Sequence, residues 1–339
     1  MANILRMAAV GAGGIGHAHQ SALMNNPKVE LVAICDIAVD RAKARAESLG
    51  IPHWYGSIKE MLANEDFDAV TVVTADNLHF EPTMECLDAG KHVIGEKPLA
   101  MDVKEAELMV AKAKEKGVKL AIDYNRRFSH AYKQGQKWLE DGEIGNLAYI
   151  TLKLAQGGPP SHMKGEFYLL WELETHAIDL LRWFGGEIVA VSSQMGRPRL
   201  SEARPGEPPL WTSMAISVRF ANDAVASYLA SYDSDYTHPI ERLEARGNKG
   251  ALVVDNILTK STLMRADNQI VEEWRPNIFS QEQNDFGGTF KPRMDAFVED
   301  VLAGREPYPN GIDGLQAVRV VDAIIRSWQE RKEILVKTD

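Results

Sequence analysis

The chain has 339 residues, of which 45% are hydrophobic and 25% charged, an ordinary soluble globular composition that excludes disordered and fibrous classes. Its length passes the size at which a single core stops growing, so two domains are expected. The net charge of −10, with no basic run, argues against a nucleic-acid or anionic-membrane partner, because phosphate contacts need concentrated positive charge.

Over residues 1–123 short apolar runs alternate with helical, charge-decorated segments, the pattern of a parallel sheet with crossover helices. The runs at 5–10, 31–35, 69–74, 92–95 and 119–122 lack in/out alternation, as strands buried on both faces do. Helical periodicity over 15–25, 40–49, 80–89 and 103–116 ends near Gly50, Gly90 and Gly117, which suit C-terminal stops. Five strand–helix units are predicted.

From residue 124 to 339 the pattern changes. A helix over 130–140 precedes a strand at 147–154, a Gly/Pro loop at 157–165 and an amphipathic helix over 169–184. Alternating segments then crowd together at 188–194, 213–220, 224–232, 242–246, 252–255 and 262–264, as in a mostly antiparallel sheet. Helices over 294–302 and 315–330 close the chain, and residues 197–210 and 275–292 read as polar excursions. The N-terminus has no charged n-region or cleavage pattern, and no apolar run approaches the ~20 residues of a bilayer span. Cys35 and Cys86 are too few for a disulfide framework or a thiolate metal site, so a reducing, cytoplasmic setting is expected.

Gly11-Ala12-Gly13-Gly14-Ile15-Gly16 follows a strand and opens a helix, the context that a dinucleotide turn requires. Its glycines permit a tight turn, close approach of a pyrophosphate and close helix–strand packing, with the helix N-terminus aimed at the phosphates. Asp36 stands 20 residues after Gly16, where a carboxylate accepts from the ribose 2′-hydroxyl and repels a 2′-phosphate. Its neighbour Ile37 joins the same subsite. NAD is therefore expected over NADP, with Arg41 as the feature that favours the alternative.

Glu96-Lys97-Pro98 lies at the carboxyl end of a predicted parallel strand, where open α/β sheets bind ligands. An ammonium there can hold a substrate hydroxyl and stabilise a developing alkoxide. Glu172 and His176 stand four apart on a predicted helix, with Asp179 near the same face. The histidine suits proton transfer near neutral pH, and the carboxylate can orient it or hold a hydroxyl. A purely structural pair is one competing reading; a metal is another, lacking an evident third ligand that Asp179 or a distant histidine could supply.

Together these residues resemble the glucose-fructose oxidoreductase/inositol dehydrogenase/MocA family. The resemblance rests on GAGGIG, the segment Thr74–His79 (TADNLH), the Glu-Lys-Pro turn, Tyr124–Phe128 (YNRRF) and ETHAIDLLRWFGGE from Glu174, and spans essentially the whole chain. It implies an α/β fold: an N-terminal Rossmann doubly wound parallel sheet, and a C-terminal α+β domain whose open, mostly antiparallel sheet commonly builds a homodimer or homotetramer. It implies Lys97 as catalytic lysine, His176 as general acid/base, and Thr74, Asn77 and His79 along the nicotinamide side, with Glu96 and Asn125 nearby. The expected reaction is hydride transfer between NAD and a ring alcohol of a sugar, glycoside or cyclitol.

Glu172 departs from the family's more usual aspartate, which puts polyol specificity in doubt more than the chemistry. Arg127, Tyr236 and an apolar wall at Trp171 are weaker substrate candidates. Two other functions remain open: an NAD-retaining glycoside lyase or hydrolase acting through transient oxidation, and a non-catalytic dinucleotide-binding regulator.

Overall fold

The computed structural model describes residues 4–157, 165–198, 210–234, 239–266, 269 and 271–338. In chain order the elements are β1 (Leu5–Val10), α1 (Gly14–Met24), β2 (Val29–Cys35), α2 (Val39–Leu49), β3 (His53–Tyr55), α3 (Ile58–Asn64), β4 (Ala69–Val72), α4 (Phe80–Asp88), β5 (His92–Gly95), α5 (Val103–Lys116) and β6 (Leu120–Ile122). There follow α6 (His130–Glu140), β7 (Leu147–Ala155), α7 (Tyr168–Glu172), α8 (Glu174–Gly185), β8 (Ile188–Gly196), β9 (Ser213–Phe220), β10 (Val225–Ser231), β11 (Glu241–Gly247), β12 (Gly250–Asp255), β13 (Lys260–Arg265) and β14 (Val271–Trp274). The chain closes with α9 (Gln281–Asn284), α10 (Phe290–Leu302), α11 (Gly311–Glu330) and β15 (Ile334–Leu335). No helix among the described residues is long and apolar enough to cross a membrane.

Two compact units result: residues 1–125 with 287–318, and residues 126–286 with 319–339. In the first, six parallel strands run in the order β3-β2-β1-β4-β5-β6, the doubly wound arrangement. β4 is buried at every residue and β1 at all but one, which explains the unbroken apolar runs. Local chemistry sets the helix ends. Asp102 caps α5 by accepting from the backbone N–H of Lys104 and Glu105, and Gly117 ends it in the left-handed region at φ 66°, where a Cβ is costly. α10 completes the core: Phe290, Met294, Phe297 and Val298 pack among residues of β1, β2, α1 and α2.

The second unit is a nine-stranded sheet ordered β14-β13-β12-β11-β7-β10-β9-β8-β15. Among its described pairings only β10 with β7 is parallel. β9 and β10 alternate strictly between buried and outward residues, so one face is covered. α6 packs on β12 and β13, and α8 on β7.

Five elements escape the sequence pattern: β3, α3, β14, α9 and β15. β3 is three half-exposed residues whose pairing with Ala33–Cys35 is supplied by the neighbouring strand. β15 is two residues added to the edge at Val191 and Ala190. The expected helix over 169–184 is two helices, parted at Leu173. The Thr175 hydroxyl donates to Trp171 O, four residues back, at 3.3 Å, a bond that competes with the backbone ladder and bends helices. Glu172 and His176 thus stand on either side of a break. The expected excursion over 275–292 contains α9 and the start of α10.

Candidate active site

At the carboxyl end of β1 the turn is set by steric necessity. Gly11 has φ +100°, and a Cβ on it would lie 2.0 Å from Val73 O; one on Gly16 would lie 2.6 Å from Gly11 O. Gly13 and Gly14, by contrast, have nothing within 4 Å of a built Cβ. Two glycines let strand and helix close together, and two leave backbone open to the cavity beside them. Gly13 caps α1 with no side-chain acceptor, so the helix N-terminus is suited to an anion.

That cavity has a volume of about 1020 Å³ and is lined by Gly11, Gly13, Gly14, Ile15, Gly16, Asp36, Ile37, Thr74 and Asn77. It opens between the carboxyl ends of β1 and β4, where the strand order reverses, the place at which doubly wound sheets bind ligands. Its size is at the upper end of small-molecule sites. Donors, acceptor and room fit a dinucleotide.

Asp36 is held from both sides. Its Oδ2 accepts from Ala12 N (2.8 Å) and Arg41 Nε (3.0 Å), and its Oδ1 from Ala38 N (2.9 Å) and Arg41 Nη2 (2.7 Å). Burial pushes the carboxyl up, but the Arg41 fork and the two backbone N–H groups outweigh it and hold Asp36 below the usual carboxylate range. An ionised acceptor is therefore fixed at the cavity wall. Ile37 beside it is 88% exposed, an apolar surface that suits the face of a base.

The other expected residues have different surroundings. Thr74 and Asn77 line the cavity, whereas His79, Glu96, Lys97 and Asn125 are absent from its lining. His79 is buried, with Nδ1 donating to Pro98 O at 2.6 Å and Nε2 3.2 Å from Thr74 O. It ties the cavity wall to the Glu-Lys-Pro turn. Asn125 Nδ2 donates to Thr289 Oγ1 at 3.0 Å, anchoring the chain after β6 to the segment before α10. Lys97 follows β5, and its backbone N–H donates to Glu96 Oε2 at 3.0 Å.

Glu96 leads to a cluster that the sequence pattern did not disclose. His19, in α1, is fully buried; its Nε2 lies 3.0 Å from Glu96 Oε1 and 2.9 Å from Asp123 Oδ2, and its Nδ1 2.8 Å from Thr71 Oγ1. Arg293 Nε stands 3.9 Å from Asp123 Oδ1. Burial alone would lower the imidazole, but its hydrogen bonds to Asp123 and Glu96 win and push it up to about 9. These three side chains have metal-ligand chemistry, yet the nitrogen sits at hydrogen-bond distance from both oxygens, closer than ligands of one tetrahedral ion stand. At these distances one protonated imidazole N–H can serve both carboxylates. The only sequence signal was a histidine one turn inside the helix that the glycines open.

In the second unit, His176 is buried on α8 and Glu172, at the end of α7, is half-buried. Arg127 forks Asp179 through Nε–Oδ2 at 2.8 Å and Nη2–Oδ1 at 2.5 Å, with its guanidinium 5.7 Å from the Trp183 ring. These contacts fix α8 to the segment after Asn125; Arg127, expected at substrate, is buried in that fork. Asp179 likewise faces Arg127. In the same unit, Tyr232 donates to Glu174 Oε1 at 2.7 Å, and Glu241 accepts from Tyr132 at 2.6 Å and pairs with Arg126. Burial raises the Glu174 carboxyl to about 8. Trp171 is half-buried. Tyr236 and most of the 157–165 loop lie outside the described residues.

Residues 5–124 match the oxidoreductase family model with an NAD-binding Rossmann fold, and residues 136–337 match that family's C-terminal alpha/beta domain. The chain belongs to the Gfo/Idh/MocA oxidoreductase family. It is an oxidoreductase whose residues 5–124 form the family's NAD-binding Rossmann fold.

Among its relatives, the myo-inositol 2-dehydrogenase of Thermotoga maritima is 27% identical over 334 residues, covering 97% of this chain and 98% of the relative. The scyllo-inositol 2-dehydrogenase (NAD(+)) of Bacillus subtilis is 27% identical over 337 residues, covering 97% and 95%. A solved levoglucosan dehydrogenase, in complex with NADH and L-sorbose, superposes with a TM-score of 0.88 over 99% of this chain and 100% of that one at 22% identity. That likeness bears on the fold.

Proposed function

We propose that this Gfo/Idh/MocA oxidoreductase is an NAD-dependent dehydrogenase of a ring alcohol, a cyclitol, pyranose or glycoside. The observation that carries the reading is the fixed, ionised Asp36 at the wall of a dinucleotide cavity, in a chain that also places Lys97 at the carboxyl end of β5. When bound, NAD supplies the two-electron, hydride-accepting chemistry. Gly13 and Gly14 would hold its pyrophosphate, Asp36 its adenosine ribose and Ile37 the adenine face, while Thr74 and Asn77 serve the nicotinamide half.

Lys97 is assigned to the substrate oxygen, where an ammonium donates a hydrogen bond and steadies negative charge as the C–H bond breaks. His176 takes the hydroxyl proton, and Glu172 binds a neighbouring hydroxyl or orients the ring. Glu172 is the residue proposed to tune substrate choice. The similarity to inositol dehydrogenases supports a polyol substrate. Three further parts of the reading are a division into a cofactor domain over 1–123 and a substrate domain over 124–339, from which residues 287–318 pack back into the first unit, a homodimer or homotetramer built on the open face of the second sheet, and a cytoplasmic setting. The alternating, half-exposed strands β9 and β10 support the second, and two buried unpaired thiols support the third.

A panel of cyclitols, aldoses and glycosides, each offered with NAD and with NADP and followed by absorbance of the reduced nicotinamide, tests the proposal. Stoichiometric reduction of NAD by a polyol is expected. Product without net cofactor reduction would indicate the cycling lyase instead, and NAD binding without any turnover the regulator. With a substrate in hand, Lys97→Ala and His176→Ala should each lower kcat by about 10²–10⁴-fold; wild-type turnover in Lys97→Ala would overturn the mechanism.

A further inference from the structure

We propose that His19 is a positioning residue for the reaction, clamping Glu96 so that the backbone of Lys97 is held in register with the helix that opens at the dinucleotide turn. The inference rests on the reading of Lys97 as catalytic. Its basis is how the Glu96 carboxylate is divided. Oε1 meets His19 Nε2 at 3.0 Å, and Oε2 accepts the Lys97 N–H at 3.0 Å. One carboxylate thus joins α1 directly to the lysine's own peptide unit.

The same imidazole also reaches β4, through Thr71 Oγ1 at 2.8 Å, and the end of β6, through Asp123 Oδ2 at 2.9 Å. Asp123 precedes Asn125, the other residue expected near the cofactor. A single buried ring therefore gathers the carboxyl ends of β4, β5 and β6 onto α1.

Stability by itself does not call for this design. A buried ion pair adds little over apolar groups of the same volume, whereas removing one partner leaves an uncompensated charge. What a charged cluster does supply is direction: Glu96 has one orientation that satisfies both His19 and Lys97. With His19 protonated, two cations, His19 and Arg293, face two carboxylates, Glu96 and Asp123. Without that proton the carboxylates repel across a dry site, and Glu96 loses the contact that aims it.

The test compares His19→Gln and the charge-balanced double variant His19→Gln/Asp123→Asn with wild type. NAD affinity is read by fluorescence titration, turnover with myo-inositol or the fastest alcohol of the panel, and amide hydrogen exchange by mass spectrometry. In His19→Gln, kcat should fall about 10–100-fold, as for a misplaced reacting group, with NAD affinity and KM each within about threefold. Exchange should quicken in the peptide around Lys97 while the β2 peptide stays protected. The double variant should regain about tenfold in kcat over His19→Gln. Wild-type kcat and exchange in His19→Gln, exchange quickened throughout the unit, or a double variant no better than the single would each overturn the inference. If the wild-type protein oxidises no alcohol, the proposed function fails, and the exchange arm alone decides whether His19 positions Lys97.

Discussion

Asp36 shows how much one side chain can settle. Four donors converge on it, two of them from Arg41, so the carboxylate is oriented by the protein itself; its proposed role is to hold the adenosine ribose. Hydrogen bonds to a charged group are worth about 1.5–3 kcal/mol. Asp36→Ala should weaken NAD binding by about 10–100-fold and narrow the preference over NADP, because Arg41 then loses its partner and can meet a 2′-phosphate. Titration of both cofactors checks this; unchanged NAD affinity would remove Asp36 from the ribose site. This residue was legible because its distance from Gly16 is a local property of one βαβ unit. His19, Glu96 and Asp123 were not legible as a group, since their meeting depends on three separate strand ends.

Among the elements, α10 carries the least expected role. It lies far along the chain yet inserts Phe290, Met294, Phe297 and Val298 into the core of the first sheet. Phe297 is fully buried, and Phe297→Ala should cost about 3–5 kcal/mol through lost burial and the cavity left behind. Denaturant unfolding, with NAD binding as the readout of the first unit, measures it. A change under about 1 kcal/mol would mean that the helix is not part of that core. The apolar periodicity of α10 was readable; which sheet it serves was not. The break at Leu173 has a similar lesson, because a threonine hydroxyl bonded four residues back leaves helical periodicity intact while parting Glu172 from α8.

For the molecule as a whole, buried ionisable groups predict a fall in stability on the alkaline side. Glu174 is raised from an ordinary value near 4.5 to about 8, chiefly by burial, against the opposing bond from Tyr232 and the charge of Arg126, with Glu241 and Glu172 adding repulsion. A raised carboxyl contributes fully below about 4.5 and loses its contribution as pH climbs through about 8. His19, raised from 6.5 to about 9 between Asp123 and Glu96, contributes fully below 6.5 and loses its share through about 9. Thermal melts from pH 5 to 9 should therefore show a declining Tm. Glu174→Gln, which stays neutral, should show a shallower decline, its difference from wild type widening from about pH 5 to about pH 8 and then levelling. Parallel curves for the two proteins would refute an ionisable Glu174 as the cause.

The amino-acid order alone determined the class of each half, the doubly wound character of the first sheet, the glycine turn that opens α1, and the strand end that bears Lys97. These follow from patterns of period two and 3.6 and from spacings within single supersecondary units, which short-range sterics impose. Tertiary structure alone decided that residues 287–318 join the first unit, that Arg127 is engaged by Asp179, and that His19 draws Glu96 and Asp123 into one buried cluster. Such partnerships join side chains distant in sequence, and only the packing of complete elements brings a proton and two carboxylates to a common point.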